Sequence, residues 1–250
     1  MEEKKLAGLE PGAVFEYFEA LCAIPHGSHN TKAISDFLVD FAKKQQIRYI
    51  QDESNNIILF ADGTCGLEGH EPVVLQGHMD MVCEKDEGCP IDMDTQGLDL
   101  CHDNLCVFAK GTTLGGDDGI ALAYAMALIA DRTIPHPPLE VIITVDEEIG
   151  MLGADVIDVS MLKGRKMINL DSEDEGIFTV ACAGGATATI SLNVNRKAVY
   201  GPCVRLCVDG LRGGHSGAEI HKNRANANKV MGEFMSRILK LMPLCLTSFS

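Results

Sequence analysis

The segment from Leu139 to Ala154, LEVIITVDEEIGMLGA, constrains the chain most strongly. Its first part, Val141 to Val145, is apolar and β-branched, which predicts a buried strand. Three adjacent acids, Asp146, Glu147 and Glu148, follow directly. Like charges raise one another's pKa, so three carboxylates at the end of a buried strand need a cation or solvent beside them. Taken alone, such a triplet is typical of a solvated turn.

Three other segments repeat this design, in which an apolar run ends in His or Asp. They are PVVLQGHMDMVC with His78 and Asp80, GTTLGGDDG with Asp117 and Asp118, and MINLDSED with Asp171. His78 and Asp80 are two residues apart, so in an extended chain both face one side, where a carboxylate can fix the tautomer of a metal-bound His. Functional residues of α/β sheets gather at the carboxyl ends of strands, so four such segments favour a metal site over four unrelated loops.

Composition excludes several classes of function. The net charge of −15 argues against nucleic-acid binding, which needs a basic patch. No apolar run approaches the roughly 20 residues of a membrane span, and the N-terminus lacks the apolar core of a signal peptide. We therefore expect a soluble cytoplasmic protein with no membrane partner. The ten cysteines form no C-x-x-C pair, and in a reducing compartment we expect most of them to be small buried hydrophobes.

The order of predicted elements indicates the α/β class, with a mixed sheet flanked by helices. We expect helices over 11–23, from the Thr31 cap to about 46, from the loop at 114 to 130, and over 225–241. Short strands are expected near 47–50, 56–61 and 73–75, at 141–145 and before Asp171, and the segment 84–110 reads as a loop.

The glycine-rich segment GTTLGGDDG has two simpler interpretations. Asp117 and Asp118 stand at a helix start, where capping and dipole compensation alone would account for them. A phosphate-binding loop is excluded, because the segment lacks the Gly-Lys-Ser/Thr ending and two carboxylates would repel phosphate.

The pattern of apolar and polar residues changes near Gly184–Ala186. Residues 186–194 (ATATISLNV) and 204–208 alternate between apolar and polar types, which predicts a strand pair of a different layer. We therefore expect a metal-binding domain over 1–185 and a partial α+β lid domain over 186–250. The last residues read like the approach to another strand, so we expect the chain to be incomplete at its C-terminus.

The motifs LQGHMDM, GTTLGGDDG, VDEEIG, NLDSED and GGHSG, in this order, resemble those of the two-zinc metallopeptidases of the aminoacylase, carboxypeptidase G and dipeptidase group. The details are most similar to the aminoacyl-histidine dipeptidases, also called Xaa-His or cytosolic non-specific dipeptidases. The resemblance covers about residues 5 to 245. The five motifs in this order are specific for the group, whereas any one of them alone would be weak.

The resemblance implies a role for each residue of these motifs. His78 and Asp171 would bind one zinc, Glu148 would bind the other, and Asp117 would bridge both. Glu147 would be the general base on the attacking water, and Asp80 would orient His78. Cobalt or manganese can substitute for zinc. The substrates would be small dipeptides, Xaa-His dipeptides among them.

The lid residues follow from the same resemblance. His215 would contact the substrate or the developing oxyanion, across a homodimer interface if the lid forms one; an exposed loop His is the simpler interpretation. His221 and Arg224 are further candidates for binding the substrate carboxylate.

One departure from the family pattern bears on activity. The family's Glu148 zinc takes its last ligand from a His far toward the C-terminus, and this sequence has no such segment. One zinc site is therefore complete, with His78, Asp117 and Asp171. Two alternatives stay open: a non-catalytic metal-binding or dimerisation fragment, and a tripeptidase or acyl-amino-acid deacylase of the same group.

Overall fold

The structure is a computed structural model that describes residues 4–103, 105–172, 175–181, 188–213 and 219–248. Its helices are α1 (Gly12–Cys22), α2 (Lys32–Gln45), α3 (Gly116–Ala130), α4 (Leu152–Val156) and α5 (Ala227–Ile238), with a 3-10 turn at Ile220–Lys222. Its strands are β1 (Arg48–Gln51), β2 (Ile57–Ala61), β3 (Val73–His78), β4 (Leu100–His102), β5 (Val107–Ala109), β6 (Leu139–Thr144) and β7 (Lys166–Asn169).

Five of these strands form one mixed sheet in the order β1-β2-β6-β3-β7. β1 and β2 are antiparallel to each other and β2 is antiparallel to β6, whereas β3 runs parallel to both β6 and β7. The carboxyl ends of β3, β6 and β7 therefore lie along one edge of the sheet. The predicted α/β class with a mixed sheet is confirmed.

A single hydrophobic cluster joins α1, α2 and α3 to one face of the sheet. Buried apolar residues recur at helical spacing in the first two helices: Val14, Phe18, Leu21 and Cys22 in α1, and Ile34, Leu38 and Phe41 in α2. The alanines of α3 let that helix pack closely against its neighbours, with Ala123 fully buried. All six residues of β6 are buried: the apolar Val141 to Ile143, as predicted, and also the polar Glu140 and Thr144.

Two expectations from the sequence are wrong, one about the segment 84–110 and one about the burial of the cysteines. The segment 84–110 is not wholly loop, because β4 and β5 form a small antiparallel hairpin there. Most described cysteines are not buried: Cys22 is, but six of the nine are exposed. They lie mainly outside the sheet and its covering helices, where there is little core to take up a thiol. No disulfide joins the cysteines that the structure describes.

The chain divides into two compact units, Met1–Cys182 and Ala183–Ser250. The predicted boundary at Gly184–Ala186 lies outside the described residues. The predicted strand pair is wrong for the residues of the second unit that the structure describes, since 188–194 and 204–208 form no strand. Alternation favours a strand only where a neighbour completes the hydrogen bonds. Helix α5 begins where the Asn226 side chain accepts a hydrogen bond from the Lys229 backbone N–H.

None of the described helices combines the length and the apolar character that crossing a bilayer requires.

Candidate metal centre

His78 is the last residue of β3, and its side chain is buried. Its Nδ1 lies 2.9 Å from the backbone oxygen of Asp80. Because a carbonyl oxygen only accepts hydrogen bonds, Nδ1 carries a proton and donates it to this oxygen. In the neutral ring Nε2 then has a free lone pair, so the chain fixes the tautomer that can bind a metal ion through Nε2.

Three carboxylates surround Nε2 of His78. The nearest oxygens of Asp117, Asp171 and Glu147 lie at 3.0, 3.9 and 4.0 Å. The four side chains come from four segments that are far apart in sequence. The sheet and helix α3 thus bring together the residues predicted from the ends of separate apolar runs.

Two groups of side chains here can each hold an ion. One consists of His78, Asp117 and Glu148, and the other of His78, Glu147 and Asp171; within each group the ligand atoms lie within 4.8 Å of one another. A nitrogen with two carboxylate oxygens is a donor set that zinc accepts. The residues therefore fit a metal ion chemically. These groups divide the acids differently from the pattern that the resemblance implies, in which Asp117 and Asp171 share the His78 ion.

The two acids at the start of α3 point to different atoms of His78. Asp117 and Asp118 both have non-helical backbone angles, and the peptide bond between them is cis. Asp117 reaches Nε2 from a half-exposed position, whereas Asp118 is buried and its Oδ2 accepts the backbone N–H of His78 at 3.2 Å. The Asp117 carboxylate therefore faces the candidate metal site, whereas the Asp118 carboxylate binds the backbone at the end of β3.

Asp80 connects the His78 strand to the acidic loop after β6. Its buried carboxylate accepts hydrogen bonds from the Ser28 hydroxyl at 2.8 Å and from the backbone N–H groups of Glu147 and Glu148 at 3.0 and 3.4 Å. The carboxylate itself lies 3.5 Å from Nδ1 of His78, farther than the Asp80 carbonyl. Asp80 therefore orients His78 mainly through the Asp80 backbone oxygen. It orients the acidic loop through its carboxylate.

The pKa values in this cluster diverge because of burial and mutual charge. Burial alone would lower the pKa of His78, but hydrogen bonds with Asp117 and Asp80 and the charge of Asp118 raise it to about 11. The hydrogen bond with His78 lowers the pKa of Asp117. Burial and the charge of Asp117 raise the pKa of Asp171 to about 6.

Two further acids of the cluster are shifted the same way. Burial is the main cause that raises the pKa of Asp118, to about 7, and burial followed by the charge of Asp117 raises the pKa of Glu148. Among the residues that the structure describes, no lysine or arginine forms an ion pair with any acid of this cluster. So many carboxylates around one imidazole, without a basic side chain, have the electrostatics of a cation site.

The three lid candidates belong to the second unit of the chain. His215 lies outside the residues that the structure describes. His221 is exposed in the 3-10 turn. Arg224 is engaged by Glu219, with contacts of 2.6 and 2.9 Å, and it also donates to the backbone oxygen of Gly213. The Arg224 guanidinium is thus already held by an acid of its own unit.

Sequence reasoning missed three residues that organise the site. Ser28 donates to Asp80, Asn56 binds the two ends of the acidic loop, and Asp118 binds the His78 backbone. Ser28 and Asn56 lie in turns without a motif, so no local pattern marks them. Asp118 adjoins Asp117 in the GGDDG segment, and that adjacency is the signal that could have found it.

Comparison with known proteins identifies relatives along nearly the whole chain. No family model matches the sequence. The chain is 38% identical over 248 residues to the cytosol non-specific dipeptidase of Escherichia coli, a match that covers 98% of this chain and 51% of that protein.

Solved structures agree with this relationship. An aminoacylhistidine dipeptidase from Vibrio alginolyticus superposes with a TM-score of 0.68 at 32% identity, covering 94% of this chain and 48% of that one. An aminopeptidase from Bacillus cereus, at 23% identity and a TM-score of 0.55 over 65% of this chain and 43% of that one, shares the fold. The chain spans about half the length of the relatives it matches. It belongs to the metallopeptidase family that includes the cytosol non-specific and aminoacylhistidine dipeptidases.

Proposed function

We propose that the chain is a cytoplasmic metallopeptidase that hydrolyses dipeptides, Xaa-His dipeptides among them. The observation that carries this proposal is the buried His78 Nε2, which faces the carboxylates of Asp117, Asp171 and Glu147. Among the described residues, no lysine or arginine forms an ion pair with these carboxylates. The names of its relatives, a non-specific dipeptidase and an aminoacylhistidine dipeptidase, point to dipeptides as the substrate class.

The residues divide into metal ligands and a base. His78, Asp117 and Asp171 hold one ion, and Asp117 and Glu148 contribute to a second; we propose zinc, for which cobalt or manganese can substitute. When bound, zinc supplies Lewis acidity, which lowers the pKa of water and polarises the peptide carbonyl.

Glu147 acts on the proton. Its carboxylate stands at the edge of the cluster with a side chain that is 31% exposed, so water and substrate can reach it. It takes a proton from the attacking water as the new carbon–oxygen bond forms, and it returns that proton to the departing amine as the peptide bond breaks. Its backbone N–H, held by Asp80, fixes the position from which it acts.

Substrate and partner contacts in residues 186–250 follow from the family resemblance. His215 would contact the substrate or the oxyanion, and the lid would form a homodimer contact. Sedimentation of the purified chain tests the dimer. Replacement of His215 by Ala tests the substrate contact through a raised KM or a lowered kcat.

The activity test compares three substrate classes with the purified, zinc-loaded chain: β-alanyl-histidine, a tripeptide and an N-acetyl amino acid. The proposal predicts release of free histidine from the first, abolished by a chelator and restored by zinc. Faster cleavage of the tripeptide or the N-acetyl amino acid would assign the chain to a tripeptidase or a deacylase instead. Metal binding without turnover of any of the three would overturn the enzymatic proposal in favour of a non-catalytic metal-binding chain.

A further inference from the structure

Asn56 is a buried amide immediately before β2, with 1% of its surface exposed. Its Oδ1 accepts a hydrogen bond from the backbone N–H of Val145 at 3.0 Å. Its Nδ2 donates to the backbone oxygen of Gly153 at 3.1 Å and to Asp52 Oδ2 at 2.8 Å. The Asn56 carboxamide therefore binds the segment that follows β6 twice, once as an acceptor from Val145 and once as a donor to Gly153.

Val145 and Gly153 are the two ends of the loop that carries Glu147 and Glu148. The backbone N–H of Gly153 donates to the Val145 oxygen at 3.0 Å, so the loop closes on itself where Asn56 binds it. A Cβ at Gly153 would stand 2.4 Å from Asn56 Oδ1 and 2.5 Å from the Val145 oxygen. The closure therefore needs a glycine at 153 and an acceptor at the position of the Asn56 oxygen.

The loop between these ends has internal backbone hydrogen bonds, but its backbone is strained at two residues. Asp146 and Met151 both adopt left-handed angles, with φ of 54° and 59°, which residues with a side chain rarely occupy. Asp80 holds the middle of the loop through the backbone N–H groups of Glu147 and Glu148. Asn56 holds both ends, so the carboxylates of these two glutamates are fixed from two sides.

We infer that Asn56 is a positioning residue that sets where Glu147 and Glu148 stand, acting through Val145 and Gly153. What this positioning does for metal binding and catalysis by these two acids rests on the proposed function, whereas the effect of Asn56 on the position of the loop does not. A buried donor or acceptor that loses its partner is costly, so removal of the carboxamide should release the loop rather than leave it in place with unpaired groups.

Thr64 offers a matched control at the opposite end of β6. Its hydroxyl is buried, donates to the Ile134 oxygen at 2.5 Å and accepts the His136 backbone N–H at 3.1 Å. Thr64 thus binds the segment that precedes β6 as Asn56 binds the segment that follows it. Thr64→Val removes this hydroxyl at nearly constant volume, away from the acidic loop.

The experiment measures amide hydrogen exchange over residues 145–153 and the affinity and visible spectrum of Co²⁺ in wild type, Asn56→Ala and Thr64→Val. Asn56→Ala should speed exchange at the Glu147 and Glu148 amides at least tenfold, weaken Co²⁺ binding at least tenfold and alter the Co²⁺ spectrum. Thr64→Val should leave all three as in wild type. Asn56→Asp keeps the acceptor for Val145 but sets a carboxylate oxygen against the Gly153 oxygen and the Asp52 carboxylate, so it should also speed exchange and weaken Co²⁺ binding. It replaces Asn56→Ala if that variant does not fold.

Three results would overturn the inference. The first is unchanged exchange at the Glu147 and Glu148 amides in the Asn56 variants, and the second is an equal increase in Thr64→Val. The third is lowered stability of the fold with an unchanged Co²⁺ spectrum, which would show a purely structural role for Asn56. If the wild-type chain binds no Co²⁺, the proposed function fails, and the exchange comparison still decides the role of Asn56.

Discussion

Asp80 Oδ1 accepts a hydrogen bond from the backbone N–H of Glu147 across 3.0 Å, which joins the end of β3 to the loop after β6. Asp80 is buried, and hydrogen bonds from His78, Glu147 and Ser28 overcome the effect of burial and lower its pKa, so it stays ionised. A charged acceptor makes a strong hydrogen bond to a backbone N–H. Asp80 thus ties the imidazole ligand, which it holds through its backbone oxygen, to the base, which it holds through its carboxylate.

Replacement of Asp80 by Ala should weaken metal binding and activity by about 10- to 100-fold, the range found when outer partners of metal ligands are removed. The reason is that Glu147 and Glu148 lose the acceptor of their backbone N–H groups. Ser28→Ala removes a single contact to the same carboxylate and should have a smaller effect. A Co²⁺ titration of both variants checks this order, and a larger loss in Ser28→Ala would contradict it.

Replacement of Glu147 by Gln distinguishes two roles of Glu147, as the general base and as a metal ligand. As the base, Glu147 should be dispensable for metal binding, so the variant should keep Co²⁺ affinity within a few-fold while hydrolysis falls by about 10²- to 10⁴-fold. The geometry also permits Glu147 to bind an ion together with His78 and Asp171. Loss of Co²⁺ binding would assign it to that group of ligands, and an unchanged rate of hydrolysis would remove it from the chemistry.

Metal binding at pH 7 should release about one proton per ion held by His78. The acids around His78 raise its pKa to about 11, so the ring is protonated at pH 7 and must become neutral to bind an ion. The affinity should accordingly rise about tenfold per pH unit from pH 7 upward until other groups titrate. Calorimetry in two buffers of different ionisation enthalpy counts the protons. Binding with no release would contradict the role of His78.

The same shift predicts how stability without metal depends on pH. A pKa raised in the folded state stabilises the fold fully below the unfolded value of 6.5, and this contribution is lost as pH rises through about 11. Chelator-treated wild type should therefore lose stability from neutral to alkaline pH more steeply than His78→Ala. Parallel urea-unfolding curves for the two proteins over this pH range would contradict the assignment.

Gly77→Ala should destabilise the chain by about 1–3 kcal/mol, the usual cost of forcing extra volume into a packed site. A Cβ there would stand 2.4 Å from Asp118 Oδ2 and 3.1 Å from the Ala121 Cβ. Asp118 is buried and cannot swing into solvent. Gly69→Ala is the control, because a Cβ at that position meets nothing within 4 Å. Equal free energies of unfolding by urea in the two variants would show that the site has room that the structure does not show.

The sequence predicts the ligand-bearing segments because each is a local pattern. An apolar run followed by His78 or Glu147 marks a buried strand and its end, whereas the run before Asp171 marks β7, whose four residues are exposed. The parallel pairing of β3 with β6 and β7 then places these three ends together. The small hairpin β4–β5 could not be predicted in this way, because each of its strands has three residues and no clear alternation.

The supporting residues were beyond sequence reasoning for a different reason. Ser28 binds Asp80, which is 52 positions away, and Asn56 binds the acidic loop at residues 89 and 97 positions away. Nothing in the local sequence of either residue indicates these partners. The alternating segment over 188–194 shows the opposite failure. Its pattern is that of a strand, but pairing depends on a neighbour that the described residues do not provide.

The most direct test of the account is the zinc content of the purified chain and of its Asp117→Ala variant, measured by elemental analysis after equilibration with zinc. Asp117 lies 3.0 Å from Nε2 of His78 and belongs to the cluster as its nearest carboxylate. The account predicts at least one zinc per wild-type chain and little or none in the folded variant. A wild-type chain without zinc, or equal zinc in both proteins, would contradict it.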